Sequence, residues 1–141
     1  MTNEYIALIS QIDEIYISNR FFNLVTHQSC DCDEIIIKNG EKLSYLTIQN
    51  DKNEWYIDIQ KINEIDHSQY IHKLDLSNEK FIYDKTLYHN SGRIDGIKFH
   101  YKNIYLFIFD LEYNLVITKS QCDLFDENTY DLDTKYQNIT K

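Results

Sequence analysis

Proline is absent from this chain, and glycine occurs only at positions 40, 92 and 96. Without proline, no native prolyl isomer can slow its folding. With so few glycines no Gly-rich phosphate cradle can be built, and no G-x-S-x-G nucleophile turn is present. Long apolar runs are missing as well. None approaches the roughly 18–20 residues that cross a bilayer as a helix, so no membrane partner is expected. The first residues, MTNEYIALISQIDEIY, carry acids where a signal peptide carries bases, and they lack a small-residue cleavage site. A cytoplasmic location is expected. Three cysteines, an odd number without framework spacing, read as reduced thiols. Bases are in the minority, 14 against 23 acids, for a net charge of −9. Phosphate backbones need a basic face, so direct nucleic-acid binding is disfavoured.

What is present suits a packed domain. At 141 residues, 43% of them apolar, the chain can bury an independent core, and one domain over 1–141 is expected. Twelve tyrosines fit half-buried strand positions and contact surfaces, since a large ring ends in a polar tip. The same wealth of Ile, Asn, Lys and Tyr is what an AT-rich gene encodes.

The hydrophobic period changes along the chain. Tyr5, Leu8, Ile12, Ile15, Tyr16 and Phe22 recur at three- and four-residue steps, which predicts a helix over about 3–18. From residue 34 the period becomes two. Residues 34–38, Asn39-Gly40 and 41–49 read as a hairpin, with a second turn at 50–53. Trp55, Ile57 and Ile59 alternate with polar neighbours, as do Ile97, Phe99 and Tyr101. Weaker strand patterns lie at 70–74 and 81–88, with a loop at 89–92. Residues 104–109 form an unbroken apolar run, the pattern of a strand buried on both faces. A tight turn at 111–114 and a return strand at 115–118 follow. The expected fold is α+β: an N-terminal helix packed on a mostly antiparallel sheet of six or seven strands.

Residues able to do chemistry are scattered. His27, Cys30 and Cys32 have some metal character, but Cys-x-Cys is not a usual zinc spacing and a fourth ligand would have to come from afar. The stretch reads as a polar helix-to-strand loop with free thiols, and no metal or cofactor is expected. Asp31, Asp33 and Glu34 read as solvated charges. A small basic spot from Lys85, Arg93, Lys98 and Lys102 is interrupted by Asp84 and Asp95. A small enzyme or ligand-binding domain would need a deep pocket gathering several of His67, His72, His89, His100 and Cys122. No catalytic residue is assigned.

The most informative feature is charge. Residues 104–134 hold seven acids and one base, Lys119; the 103 residues before them spread sixteen acids and eleven bases over three times that length. Within 121–133, QCDLFDENTYDLD, five carboxylates alternate with Phe125 and Tyr130. Such a surface mimics a row of phosphates with interleaved bases. Opposite charge steers encounter, and aromatic anchors slow dissociation. The expected partner-binding residues are Asp110, Glu112, Tyr113, Asp123, Phe125, Asp126, Glu127, Tyr130, Asp131 and Asp133. The bland alternative is a solubilising acidic flank.

The stretch GIKFHYKNIYLFIFDLEYNLVITKSQCDLFDE (96–127), with the small size and acidic, proline-free composition, resembles the immunity proteins of bacterial toxin–immunity systems, such as contact-dependent growth inhibition and polymorphic toxins. It is a likeness of character that transfers no individual residue. The resemblance implies a protein that binds a cognate toxin with a basic surface, often a nuclease, and neutralises it by occlusion without turnover. An acidic inhibitor encoded by a phage and directed at a host defence nuclease would use the same mimicry.

Overall fold

The computed structural model describes residues 4–18, 22–26, 29–32, 34–70, 72–111 and 114–120. The chain runs α1 (Glu4–Leu8), β1 (Gln11–Ile12), β2 (Glu14–Ile17), β3 (Phe22–Thr26), β4 (Ser29–Cys32), β5 (Glu34–Asn39), β6 (Lys42–Asp51), β7 (Glu54–Ile62), β8 (His72–Lys73), β9 (Phe81–Tyr88), β10 (Ile94–Tyr101), β11 (Ile104–Leu111) and β12 (Asn114–Ser120). Every pairing is antiparallel. The sheet carries more strands than the expected six or seven.

The expected helix over 3–18 is corrected to one short helix and two strands. Tyr5 and Ile9 hold the single turn that forms, where the Ile9 N–H donates to the Tyr5 carbonyl at 3.1 Å. Beyond Ser10 the chain extends. Ile15 and Ile17 are buried while Glu14 and Tyr16 are half-exposed, a period of two. Ile15 also fits a helical step from Ile12. The arbiter is tertiary: β2 finds a full antiparallel partner in β5, from Glu14–Lys38 to Ile17–Ile35. β-Branched side chains suit that half-buried surface better than a helix. Phe22, the last residue of the helical pattern, begins a strand, β3.

Both hairpins form. In the first, Asn39 pairs with Lys42, so the loop is Gly40–Glu41 and Gly40 takes the first loop position at φ 61°. Glycine meets that positive φ without a Cβ clash. In the second, Lys52 (φ 54°) and Asn53 (φ 67°) both lie in the left-handed region, as a type I′ loop requires. The weak pattern at 70–74 yields only the two residues of β8, whereas 81–88 is β9 over its full length.

The strands make two layers that face each other across the main core. β9–β10–β11–β12–β4–β3 forms one and β7–β6–β5–β2–β8 the other. Ile97, Phe99, Leu106, Ile108, Leu115 and Ile117 meet Ile15, Ile17, Ile35, Ile37, Leu46 and Ile57 inside. β11 is buried on both faces as its apolar run predicts: Phe107 and Phe109 form a second cluster with Leu87 and Val116 on its other side.

Two corners join the layers. At one, β1 pairs with β9 (Ile12–Phe81) and continues past Asp13 into β2. Asp13 fixes this corner. Its carboxylate accepts from the Gly40 N–H at 2.6 Å and from Gln11 Nε2 at 2.9 Å, and its Oδ1 lies 3.2 Å from Lys80 Nζ. The Gly40 N–H, with help from Gln11 and Lys80, holds the Asp13 carboxyl below the usual aspartate range. At the other corner, β10 changes partner. From Gly96 onward it pairs with β11, but Ile94 pairs with Ile57 of β7. A register shift between Ile94 and Gly96 marks the fork, and Asp95 sits in it.

Candidate functional site

The fork gathers titratable groups from four strand ends. The turn after β9 places His89, which closes back on itself: the His89 N–H donates to the Arg93 carbonyl at 2.8 Å and the Gly92 N–H to the His89 carbonyl at 2.9 Å. Gly92 adopts φ 92°, which a side chain would strain. The His89 ring projects toward the start of β7, where Nε2 donates to the Trp55 carbonyl at 2.8 Å. Asp95 Oδ1 lies 3.5 Å and Asp110 Oδ2 3.6 Å from the same nitrogen. The bulge explains Asp95: an irregularity in a strand re-aims a side chain that regular pleating would send elsewhere. Parity explains Asp110, which shares its face of β11 with the core residues Leu106 and Ile108.

Asp110 was expected on a partner-binding surface. It is 4% exposed, and its carboxylate faces His89 rather than solvent. The other nine residues of that expected surface, Glu112, Tyr113, Asp123, Phe125, Asp126, Glu127, Tyr130, Asp131 and Asp133, lie outside the described residues.

Around the fork, charges are matched locally. Arg93 turns its guanidinium to Asp51 (2.5 Å) and Glu54 (3.4 Å) and lies over the Tyr56 ring, 4.8 Å from its centre. Lys98 is buried with Asp84 Oδ2 at 3.4 Å. Lys102 lies over the Tyr101 ring at the far end of β10. Lys85 pairs across from Lys98, but Arg93 and Lys102 flank opposite ends of β10, so the four bases considered from the sequence do not form one spot.

The histidines do not converge either. His67 stacks edge-on against Tyr16 at the β2 edge. His89 stands at the fork, and His100 Nδ1 lies 3.7 Å from Asp84 Oδ2 at the other end of β10. His72 belongs to β8, and Cys122 lies outside the described residues. Among the described residues, the pocket that an enzyme reading requires is not formed by this set.

Cys30 and Cys32 lie on a strand, β4, rather than in the expected loop. Cys32 is a buried core residue with Sγ 3.7 Å from the Leu115 carbonyl. His27 lies outside the described residues. Glu34, read as solvated, is buried at the start of β5, where its Oε1 accepts from Tyr45 and Tyr70 hydroxyls at 2.5 Å each. Burial, then the Glu34 hydrogen bond, pushes the Tyr70 phenol far above its ordinary range.

β12 is paired along one edge with β11, up to Tyr105–Ser120, and along the other with β4. Lys119, one residue before the strand's end, is the single base between 104 and 134. Its Nζ lies 2.8 Å from Glu79 Oε1, on the segment that leads into β9.

No protein-family model, no curated protein and no solved structure matches this chain. No helix among the described residues is long and apolar enough to cross a membrane.

Proposed function

We propose that the chain is a non-enzymatic binding protein of the toxin–immunity type, which seats a basic partner on the acidic, aromatic run at 121–133. The observation that carries this reading is the Lys119–Glu79 pair. The one cation of the acidic window is engaged by a carboxylate of the body at 2.8 Å. No base lies within 121–133, so its five acids bring no cation of their own stretch, whereas several acids of the two-layered body pair with its own bases: Asp13 with Lys80, Glu14 with Lys38 and Lys73, Asp51 and Glu54 with Arg93.

The run follows β12, a strand paired with β11 on one edge and with β4 on the other. The partner is a protein with a cationic cleft, a nuclease domain by preference, occluded without turnover. Association is steered by charge and weakens as salt rises.

Affinity capture tests it. The full chain and its triple charge reversal, Asp123→Lys, Asp126→Lys and Glu127→Lys, serve as parallel baits in lysate of the source cell. The reading expects a basic protein on the first bait and its loss from the second. An identical set of proteins on both baits contradicts it.

A further inference from the structure

We propose that His89, Asp95 and Asp110, with the Trp55 carbonyl oxygen, form a binding site for one divalent transition cation of the zinc or manganese class. The proposal is independent of the acidic segment and of any partner.

The side-chain donor atoms of the three residues lie within 4.8 Å of one another. From His89 Nε2 the distances are 3.5 Å to Asp95, 3.6 Å to Asp110 and 2.8 Å to the Trp55 oxygen. A first-row ion bound at 2.0–2.2 Å separates neighbouring ligands by roughly 3.0 Å in octahedral and 3.3–3.6 Å in tetrahedral arrays. Both distances from the imidazole nitrogen to a carboxylate fall at the tetrahedral value. The Trp55 distance is the hydrogen bond of the metal-free ring, and it lengthens by a few tenths of an ångström when an ion takes the place of the hydrogen.

The chemistry of the set points the same way. One imidazole N–H has three oxygens around it, two of them carboxylate, and can serve one of them well. A doubly charged ion serves all of them at once. One imidazole with two carboxylates and a carbonyl is a mixed nitrogen–oxygen set, which suits zinc or manganese better than magnesium or calcium, and better than ions that prefer thiolates. To bind, Nε2 gives up its hydrogen and offers its lone pair, with the ring hydrogen carried on Nδ1.

Placement gives the ion a task. Trp55 is on β7, His89 follows β9, Asp95 lies at the irregularity of β10 and Asp110 nears the end of β11. These four elements part at the fork, where β10 hands its edge from β11 to β7. The side chains are 24%, 13% and 6% exposed for His89, Asp95 and Asp110, so the site opens to solvent from the His89 side and rests on the core. An ion here clamps the two layers together at the corner that has fewest backbone pairs, while Arg93 in the same turn is committed to Asp51 and Glu54.

The test uses the full chain stripped with a chelator and titrated with MnCl2, ZnCl2 and, as a control, MgCl2. Calorimetry reads stoichiometry, and thermal unfolding reads stabilisation. The expected result is one Mn2+ or Zn2+ per chain and a rise in Tm of about 9 °C at a free ion concentration about 100 times Kd. Manganese separates this site from the thiols of Cys30 and Cys122, which it binds poorly. His89→Gln and Asp95→Asn should each abolish the manganese-induced rise; both residues are more exposed than Asp110, and far-ultraviolet dichroism confirms that the variants fold. Absence of saturable manganese binding, or a rise unchanged in both folded variants, overturns the proposal.

Discussion

The corner formed by β1 and β9 allows a sharp test of the fold. Ile12 is fully buried there, paired with Phe81, while its neighbour in the same ladder, Ile82, is 43% exposed. Ile12→Ala removes three carbons from the core. At ~0.8 kcal/mol per buried methylene the lost transfer free energy is about 2.4 kcal/mol. The cavity left behind adds to it, and buried Ile→Ala changes cost about 2–5 kcal/mol, so about 3–4 kcal/mol is expected. Unfolding entropy near 60 °C is ~2.1 cal/mol/K per residue, or roughly 0.3 kcal/mol/K for this chain. Ile12→Ala should therefore lower Tm by roughly 10–13 °C. Ile82→Ala removes the same atoms from a half-wet site and should cost less than about 1 kcal/mol, or ~3 °C. Scanning calorimetry on the two variants decides the matter. Equal, small shifts would refute the closed corner, and with it the strand assignment of 11–17.

Three further outcomes follow from the described residues. Tyr70→Phe withdraws one hydroxyl from the buried Glu34 carboxylate; a hydrogen bond to a charged group is worth about 1.5–3 kcal/mol, which urea unfolding would read as a lower midpoint at unchanged slope. The Asp13 carboxyl is held low by the Gly40 N–H, Gln11 and Lys80, and that of Glu14 by Lys73 and Tyr16. Because their folded values lie below the ordinary 3.8 and 4.5, their contribution is complete above those values and is lost as pH falls through the lower folded ones. Asp13→Asn should flatten the acid limb of a stability–pH curve below about pH 4, and an unchanged limb would remove Asp13 from the account. Burial pushes the phenols of Tyr5 and Tyr70 upward, so their share of stability is intact below the ordinary value of 10.0 and declines as pH rises past it. Absorbance at alkaline pH should show these two ionising only with unfolding; free titration near 10.0 in the folded chain would contradict their burial.

Much of the sheet was legible because period-two patterns and turn chemistry are local. Trp55–Ile57–Ile59, Ile97–Phe99–Tyr101 and the run at 104–109 each announced a strand, and Gly40 and Asn53 marked the loops. The start of the chain misled because Ile12, Ile15 and Tyr16 satisfy helical steps while the alternation of Ile15 and Ile17 is too short to stand out, and only pairing with β5 and β9 decides between them. The fork was illegible. His89, Asp95 and Asp110 form no spaced motif, being drawn together by a bulge and a change of edge partner, both non-local. Asp110 counted as a surface acid because sequence shows charge but not parity; two places after Ile108, it shares a core face. A weak signal was available, since a carboxylate closing an apolar run such as 104–109 begins on a strand buried on both sides. The acidic run at 121–133 was read from charge alone, and it remains the basis of the functional proposal.

The most direct measurement is the association rate of the captured basic partner with the full chain and with the Asp123→Lys, Asp126→Lys, Glu127→Lys variant, at low and at physiological salt. Charge steering predicts a rate that falls steeply with salt for the native chain and is lower by more than about tenfold for the variant at low salt. Rates that match in the two proteins, or that ignore salt, would contradict the assignment of 121–133 as the contact surface.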